Sequence, residues 1–321
     1  MNHAFIIGYG DIGHRTAKLW LAQHGRVSAL VRSLERAQPL SNPDTTLIKG
    51  DLDDAASLAH LPLKNTLLFY FAPPPDTGHT DTRLRTLLAT ITPENRPEKI
   101  VYISTSGVYG DCQGNWVTEN TPTHPRSERG ARRLDAETAL QDWQHNTGVS
   151  VVILRVPGIY GPGRLPLKRI KQGTPVVREE EAPYSNRIHA DDLARICIAA
   201  GRASAARGTT PRMEEVERRL EQPRMPTAAA AQCYHHGETV HVYNVSDGNP
   251  SSMTDYFNKT ADLLGLPRPP AVSMAEARAR LTPGMLSFIE ESRRIDNRKM
   301  LEELGVELLY PTLDTGLPTC H

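Results

Sequence analysis

Near the start of the chain a short apolar run, Ala4-Phe5-Ile6-Ile7, passes directly into Gly8-Tyr9-Gly10-Asp11-Ile12-Gly13. This G-x-G-x-x-G pattern limits the fold more than any other stretch. It follows a strand-like run and opens a helix-like one, DIGHRTAKLWLAQHG, which is the context that gives the pattern meaning. Gly8 permits the tight turn off the strand, Gly10 lets a pyrophosphate approach the backbone, and Gly13 lets the helix pack close to the sheet. The helix N-terminus then offers unpaired N–H groups and the positive end of its dipole to the phosphates. A dinucleotide-binding βαβ unit is therefore expected, with Gly8, Tyr9, Gly10, Asp11, Ile12 and Gly13 against the cofactor.

The rest of the first half supports such a unit. Apolar runs recur at 4–7, 27–31, 46–48, 66–71, 99–104 and 149–155. Short runs rich in β-branched residues suit strands covered on both faces. Between them, Leu84, Leu87, Leu88 and Ile91 share one helical stripe, as do Ala136, Ala139, Leu140 and Trp143. Strands alternating with amphipathic helices make a parallel, doubly wound α/β sheet. The second half is less regular. A helix is expected over 191–200, a strand over 239–246, a Ser-capped helix over 251–265 and another helix over 290–305. These readings give a Rossmann-type domain over 1–160 and a smaller substrate lobe over 161–321, with 187–200 and 239–246 returning to the Rossmann core. Segment 203–237 is poor in large apolar residues around EEVERRLEQ and reads as an inserted, mobile arm.

Composition narrows the function classes. Lys and Arg number 37 and Asp and Glu number 37, so the formal net charge is +0. That balance argues against a dedicated nucleic-acid binder. No apolar stretch is long enough for a bilayer span, and the N-terminus lacks the pattern of a signal peptide. The cysteines at 112, 197, 233 and 320 form no C-x-x-C, so no metal site or disulfide framework is indicated. A cytoplasmic protein with reduced thiols and no membrane partner is expected.

The end of the second strand bears on the choice of dinucleotide. An acid there would hold the ribose 2′-hydroxyl of NAD; this chain has Arg32 and then Ser33. A guanidinium suits a 2′-phosphate, which favours NADP(H) over NAD(H), unless Arg32 is an ordinary surface residue.

Taken together, GYGDIG, GDLDD (50–54), ISTSGVYGD (103–111), LRVPGIYGPGR (154–164) and NRIHADDLA (186–194) resemble the extended branch of the short-chain dehydrogenase/reductase superfamily. That branch contains the sugar-nucleotide epimerases and dehydratases, and YNVSDGNPSS (243–252) is similar to its following strand and helix. The resemblance implies that Asp51 and Leu52 meet the adenine, that Ala72 and Pro73 pass the ribose, and that Val156, Pro157 and Gly158 flank the nicotinamide. It implies that Thr105 hydrogen-bonds the reacting oxygen; the alternative is a plain strand-end hydroxyl. Arg164 and Arg187 become candidate ligands for a substrate anion. His189 and Asp191 fall at the junction of the lobes, where a hinge is expected. The resemblance also allows a homodimer, since the family's dimers often pack through the helix after the fourth strand and the 126–145 helix.

One departure stands out. The family's next motif is Tyr-x-x-x-Lys, with the tyrosine moving a proton and the lysine lowering its pKa and holding the ribose. Here those positions are Arg129 and Arg133, in SERGARRLDAE, and no tyrosine lies between 110 and 159. Arginine stays charged and cannot serve as the acid. Proton transfer by a positioned group contributes roughly 10²–10⁴ in rate, or about 3–5 kcal/mol. Three readings remain open. The chain is an oxidoreductase or epimerase-type enzyme in which Arg129 clamps a substrate anion or oxyanion and Arg133 keeps a positive charge by the ribose, the proton coming from Tyr160, His189 or the substrate. It is a non-catalytic NADP(H)-binding sensor of redox state or a ligand. Or the arginines form a solvated helix face, with Glu128–Arg132 and Arg133–Glu137 as i, i+4 pairs.

Overall fold

The computed structural model describes residues 2–38, 42–203, 240–286 and 289–320. Apart from Ala203, the arm read at 203–237 lies outside the described residues.

Seven parallel strands form the central sheet: β1 (His3–Ile7), β2 (Arg26–Val31), β3 (Thr45–Lys49), β4 (Leu67–Tyr70), β5 (Lys99–Thr105), β6 (Ser150–Val156) and β7 (Val240–Asn244). Their spatial order is β7-β6-β5-β4-β1-β2-β3. Each apolar run of the sequence is one of these strands. In β1, Ala4 and Ile6 join one apolar layer while Phe5 and Ile7 join the other, which is the period-two alternation of a strand covered on both sides.

The covering helices are the amphipathic ones. α1 (Asp11–Leu21) turns Ile12, Ala17 and Trp20 to the sheet and packs beside α4 (Ala190–Arg202). On the opposite face lie α2 (Thr82–Thr90) and α3 (Glu128–Thr147). Caps set their ends. Asp81 accepts from the Leu84 N–H to start α2, Ser127 accepts from the Gly130 N–H to start α3, and Gly148, at φ +72°, stops α3. β7 pairs with β6, and so returns the chain to the sheet after residue 239. α5 (Met253–Leu263) begins at Ser252, whose hydroxyl accepts from the Asp255 N–H.

Beyond β6 the structure is held by small pairings. Gly158–Tyr160 runs beside Arg187–His189, Tyr184–Ser185 beside Ser251–Ser252, and Trp116–Val117 beside Arg294–Ile295. The last of these corrects the expected helix over 290–305. Only Arg298–Leu304 is helical, here α6. Ile295 is instead fully buried with Val108, Tyr109 and Val117, and Asn297 donates to the Ser246 carbonyl. Both contacts need an extended segment, and this tertiary packing outweighs the helical charge pattern of ESRRIDNRK.

No helix among the described residues is long and apolar enough to cross a membrane. Cys112, Cys197 and Cys320 are free thiols, and no metal-ligand cluster occurs among the described residues.

Candidate functional site

The C-terminal ends of β1, β2, β4, β5 and β6 open into one cleft, as expected for a doubly wound sheet. Its first part is a cavity of about 600 Å³ lined by Gly8, Tyr9, Arg32, Ser33, Asp51, Leu52, Ala72 and Pro73 among others. A second, of about 200 Å³, is lined by Gly8, Gly10, Asp11, Ile12, Thr105, Arg129, Arg133, Val156, Pro157 and Arg164. Gly8 lines both, so the two cavities meet at the glycine turn. Every residue expected at the cofactor lines one of them except Gly13, which packs behind the turn, and Gly158, which lines a third cavity described below.

The glycines have the environments their motif requires. Gly8 sits at φ +89°, and a Cβ on it would meet the Ala72 amide nitrogen at 2.4 Å. A Cβ on Gly13 would meet the Gly8 carbonyl oxygen at 2.8 Å. A Cβ on Gly10 would meet nothing within 4 Å, because that direction is the open cleft. No side chain caps α1 at Gly10, so its first-turn N–H groups have no side-chain acceptor. These are the features of a pyrophosphate cradle, and they fit a dinucleotide.

Asp11 places a carboxylate at the cradle. Partial burial would raise its pKa, but hydrogen bonds from Arg164 and Arg15 outweigh this and hold it below its ordinary value. The Arg164 Nε–Asp11 distance is 2.5 Å and the Arg15 Nε–Asp11 distance 2.8 Å. Arg15 also pairs with Asp191 at the start of α4. Arg164 is thus anchored to Asp11 while lining the second and third cavities.

The third cavity, of about 360 Å³, adjoins the second, with which it shares Thr105, Arg129, Pro157, Ile159 and Arg164. Its walls include Thr105, Arg129, Gly158, Tyr184, Arg187 and Arg293. Thr105 ends β5, and its Oγ1 accepts from the Gly107 N–H at 3.2 Å, which leaves its own hydrogen available to a ligand. Arg187 stands in the short strand beside Gly158 and is buried. Its Nη2 reaches Ser185 Oγ at 3.2 Å and Met253 Sδ at 3.4 Å, and its Nε has no partner. Its guanidinium lies 4.0 Å from the Tyr256 ring centroid. Burial lowers its pKa, against the pull of Tyr256 and of nearby Asp247.

The two arginines in place of the family's pair differ sharply. Arg133 is buried, and its Nη1 donates to the Ile103 carbonyl at 2.8 Å, the Tyr102 hydroxyl at 3.0 Å and the Ala72 carbonyl at 3.4 Å. It does not pair with Glu137, as the i, i+4 reading would have it. Glu137 instead turns inward to Arg155, with Nη2–Oε2 at 2.8 Å, and accepts from the Ser104 hydroxyl at 2.5 Å. The Glu128–Arg132 pair does form, at 3.5 Å. Arg129 is exposed on the cleft wall and makes no hydrogen bond or ion pair with any described residue. Loss of solvent around its head group lowers its pKa, followed by the charges of Arg133 and Arg132.

Two suggested proton sources are ruled out by position. The Tyr160 hydroxyl donates to the Thr312 carbonyl at 3.2 Å, and burial raises its pKa. His189 is fully buried, accepts from the Asp191 N–H to cap α4, and faces Thr319 at 3.1 Å. Neither lines a cavity of the cleft.

Several wall residues carried no sequence signal. Arg83 reaches from α2 to Asp53 at 2.7 Å and lines the large cavity. Arg293, read as part of a surface helix, pairs with Glu291 at 2.7 Å, donates to the Gly110 carbonyl and faces the third cavity. Only the pairing of Arg294–Ile295 with Trp116–Val117 brings it there.

Comparison with known proteins agrees with this geometry. The family model described as the NAD dependent epimerase/dehydratase family matches residues 4–212. Protein YeeZ of Escherichia coli (strain K12) is 28% identical over 218 residues, which is 68% of this chain and 60% of that protein. The match therefore spans less than two thirds of the length of that relative. A functionally unknown conserved protein from Silicibacter pomeroyi DSS superposes with a TM-score of 0.74 at 26% identity, over 99% of this chain and 97% of that one. MoeE5, solved in complex with UDP-glucose and NAD, shares the fold at a TM-score of 0.68 and 21% identity, over 99% of this chain and 96% of that one.

Proposed function

The chain belongs to the NAD-dependent epimerase/dehydratase family, and from that premise we propose that it is an NAD(P)(H)-dependent reductase or epimerase-type enzyme. Its substrate is a small anionic metabolite or a nucleotide sugar. The observation that carries this reading is the adjacency of a glycine cradle and a cavity in which Arg129 and Arg187 have no ion-pair partner among the described residues.

The residues divide the work. Gly8, Gly10 and Gly13 hold the backbone around the pyrophosphate, while Asp51, Leu52, Ala72 and Pro73 wall the adenosine side. We favour NADP(H), because Arg32 and Arg36 both line the cavity at the end of β2 and a 2′-phosphate would meet two guanidiniums there. The bound dinucleotide supplies the hydride chemistry. Arg133 fixes the ends of β4 and β5 beside the nicotinamide side and keeps positive charge there. Thr105 offers its hydroxyl hydrogen to the reacting oxygen. Arg129 stabilises negative charge that develops on that oxygen, or clamps an existing anion. Of the carboxylates lining the second and third cavities, Asp11 and Glu291 are tied to arginines, and guanidiniums keep their protons. The proton is therefore taken from water, from the substrate or from a hydroxyl on the third cavity's wall, such as that of Tyr184. The sensor reading is not favoured, since the matching family consists of enzymes.

The test uses NADPH deuterated at nicotinamide C4, incubated with the protein and a metabolite extract and read by mass spectrometry. A product heavier by one deuteron supports a reductase; interconversion of epimers with the oxidised dinucleotide, resolved by chromatography and without uptake of label, supports an epimerase. Tight NADPH binding with neither outcome overturns the enzymatic reading. Arg129→Ala should then abolish turnover while leaving NADPH affinity unchanged.

A further inference from the structure

The third cavity says more about the substrate than that it is anionic. We propose that the substrate is a compact dianion, with one acidic group held by Arg187 and a second by Arg129, and that it is not a nucleotide sugar. This rests on the dinucleotide reading above.

The argument is one of charge and space. Four guanidiniums wall the cavity, from Arg129, Arg164, Arg187 and Arg293. Arg164 is neutralised by Asp11 and Arg293 by Glu291. Arg129 and Arg187 remain without an ion pair among the described residues. Arg187 is only 6% exposed, and burying an unpaired charge is strongly unfavourable. Its hydrogen-bond partners are a hydroxyl and a thioether, and its Nε has none. Asp247 and Asp255 are the nearby acids, yet neither makes an ion pair with Arg187: Asp255 pairs with Lys259 at 3.5 Å, and burial pushes Asp247 up to about 7, so it carries only part of a charge at neutral pH. The anion that completes Arg187 must therefore arrive with a ligand. Arg129 stands by Thr105 at the hydride end, where a second acidic group, next to the reacting carbon, would be held.

Space favours a small molecule. About 360 Å³ lies at the low end of the roughly 300–1,000 Å³ usual for small-molecule sites. A nucleoside would also need an apolar slot for its base. Of the cavity's walls, Met253 has its Sδ facing Arg187, and Tyr184 has the Arg294 guanidinium 5.0 Å from its ring centroid.

Calorimetric titration of the full chain, saturated with NADP⁺ at about 0.15 M salt, where long-range attraction is screened, decides the matter. The probes are succinate and glutarate, the matched monoanions butyrate and valerate, and UDP-glucose. At least one dianion should bind about tenfold or more tighter than its monoanionic counterpart. Arg129→Gln and Arg187→Gln should each remove that advantage; the exposed Arg129 variant serves if the buried one fails to fold. Tightest binding by UDP-glucose, or no advantage for any dianion, overturns the proposal. Failure of NADP⁺ itself to bind counts against the dinucleotide reading alone, and the same series without NADP⁺ still decides the charge question.

Discussion

The two halves of the cleft are built on different principles. The dinucleotide half is made largely of backbone: a glycine turn, the ends of parallel strands and the start of α1. Its defining residues span positions 8–13, and their roles follow from spacing alone. The substrate half is made of side chains from four distant segments, around residues 129, 164, 187 and 293. Short two-stranded pairings position most of them. The first half is set by local geometry and the second by assembly, so the first stands or falls with one short segment while the second depends also on the supports that bring its side chains together.

The largest expected effect comes from a support the two halves share. Glu137 and Arg155 form a buried ion pair that also holds Ser104, on the wall of the second cavity, and Tyr109, whose hydroxyl accepts from Arg155 at 2.9 Å. Glu137→Gln should reduce stability by about 3–5 kcal/mol, because it leaves a buried guanidinium unpaired. Denaturant unfolding measures this. A loss below about 1 kcal/mol would mean that the halves do not depend on this pair.

Next comes a change confined to the dinucleotide half. Gly10→Val should weaken NADPH binding by about a hundredfold or more, since its side chain enters the open cleft. Fold stability should change by only about 0.5 kcal/mol, as the new Cβ meets no protein atom within 4 Å. Fluorescence titration and thermal unfolding separate the two quantities. Native NADPH affinity in this variant would break the contrast at its strongest point.

On the substrate side, Asp247 offers a pH test. Burial raises its folded-state pKa to about 7 from an ordinary 3.8. An acid shifted upward stabilises the fold at low pH, and that contribution is lost as pH rises from about 4 through about 7. Wild type should therefore lose roughly 2 kcal/mol relative to Asp247→Asn between pH 5 and pH 8. Parallel curves for the two proteins across that range would remove Asp247 as a titrating neighbour of Arg187.

The smallest effect tests dinucleotide choice. Arg32→Ala should weaken NADPH binding about tenfold, or about 1.4 kcal/mol, and leave NADH binding unchanged. Equal losses for both would assign Arg32 a role unrelated to the 2′-phosphate.

The same contrast explains what was legible in the sequence. Six of the sheet's strands are legible as short apolar runs, as strands within a covered sheet require, and β7 is legible from the alternation in TVHVYNVS. The glycine motif was visible because each glycine answers a steric demand within six residues. Glu137 was not: helix spacing suggested an exposed partner for Arg133, and only the sheet beneath α3 shows that both side chains turn inward to different partners. Arg293 was hidden by a charge pattern that suits a helix, while buried Ile295 two residues on holds the segment extended. The resemblance makes Arg187 a candidate anion ligand, but nothing in NRIHADD indicates that its guanidinium is buried without an ion-pair partner among the described residues.

The links from Asp11 to Arg164, and through Arg15 to Asp191, carry a consequence for biosynthesis. Translation makes the phosphate turn before it makes these partners. The charges that neutralise and anchor it lie more than 150 positions later. A nascent chain therefore has the glycine sequence before it has the finished cradle, and competence to retain the dinucleotide comes only once α4 has been made and has docked against α1.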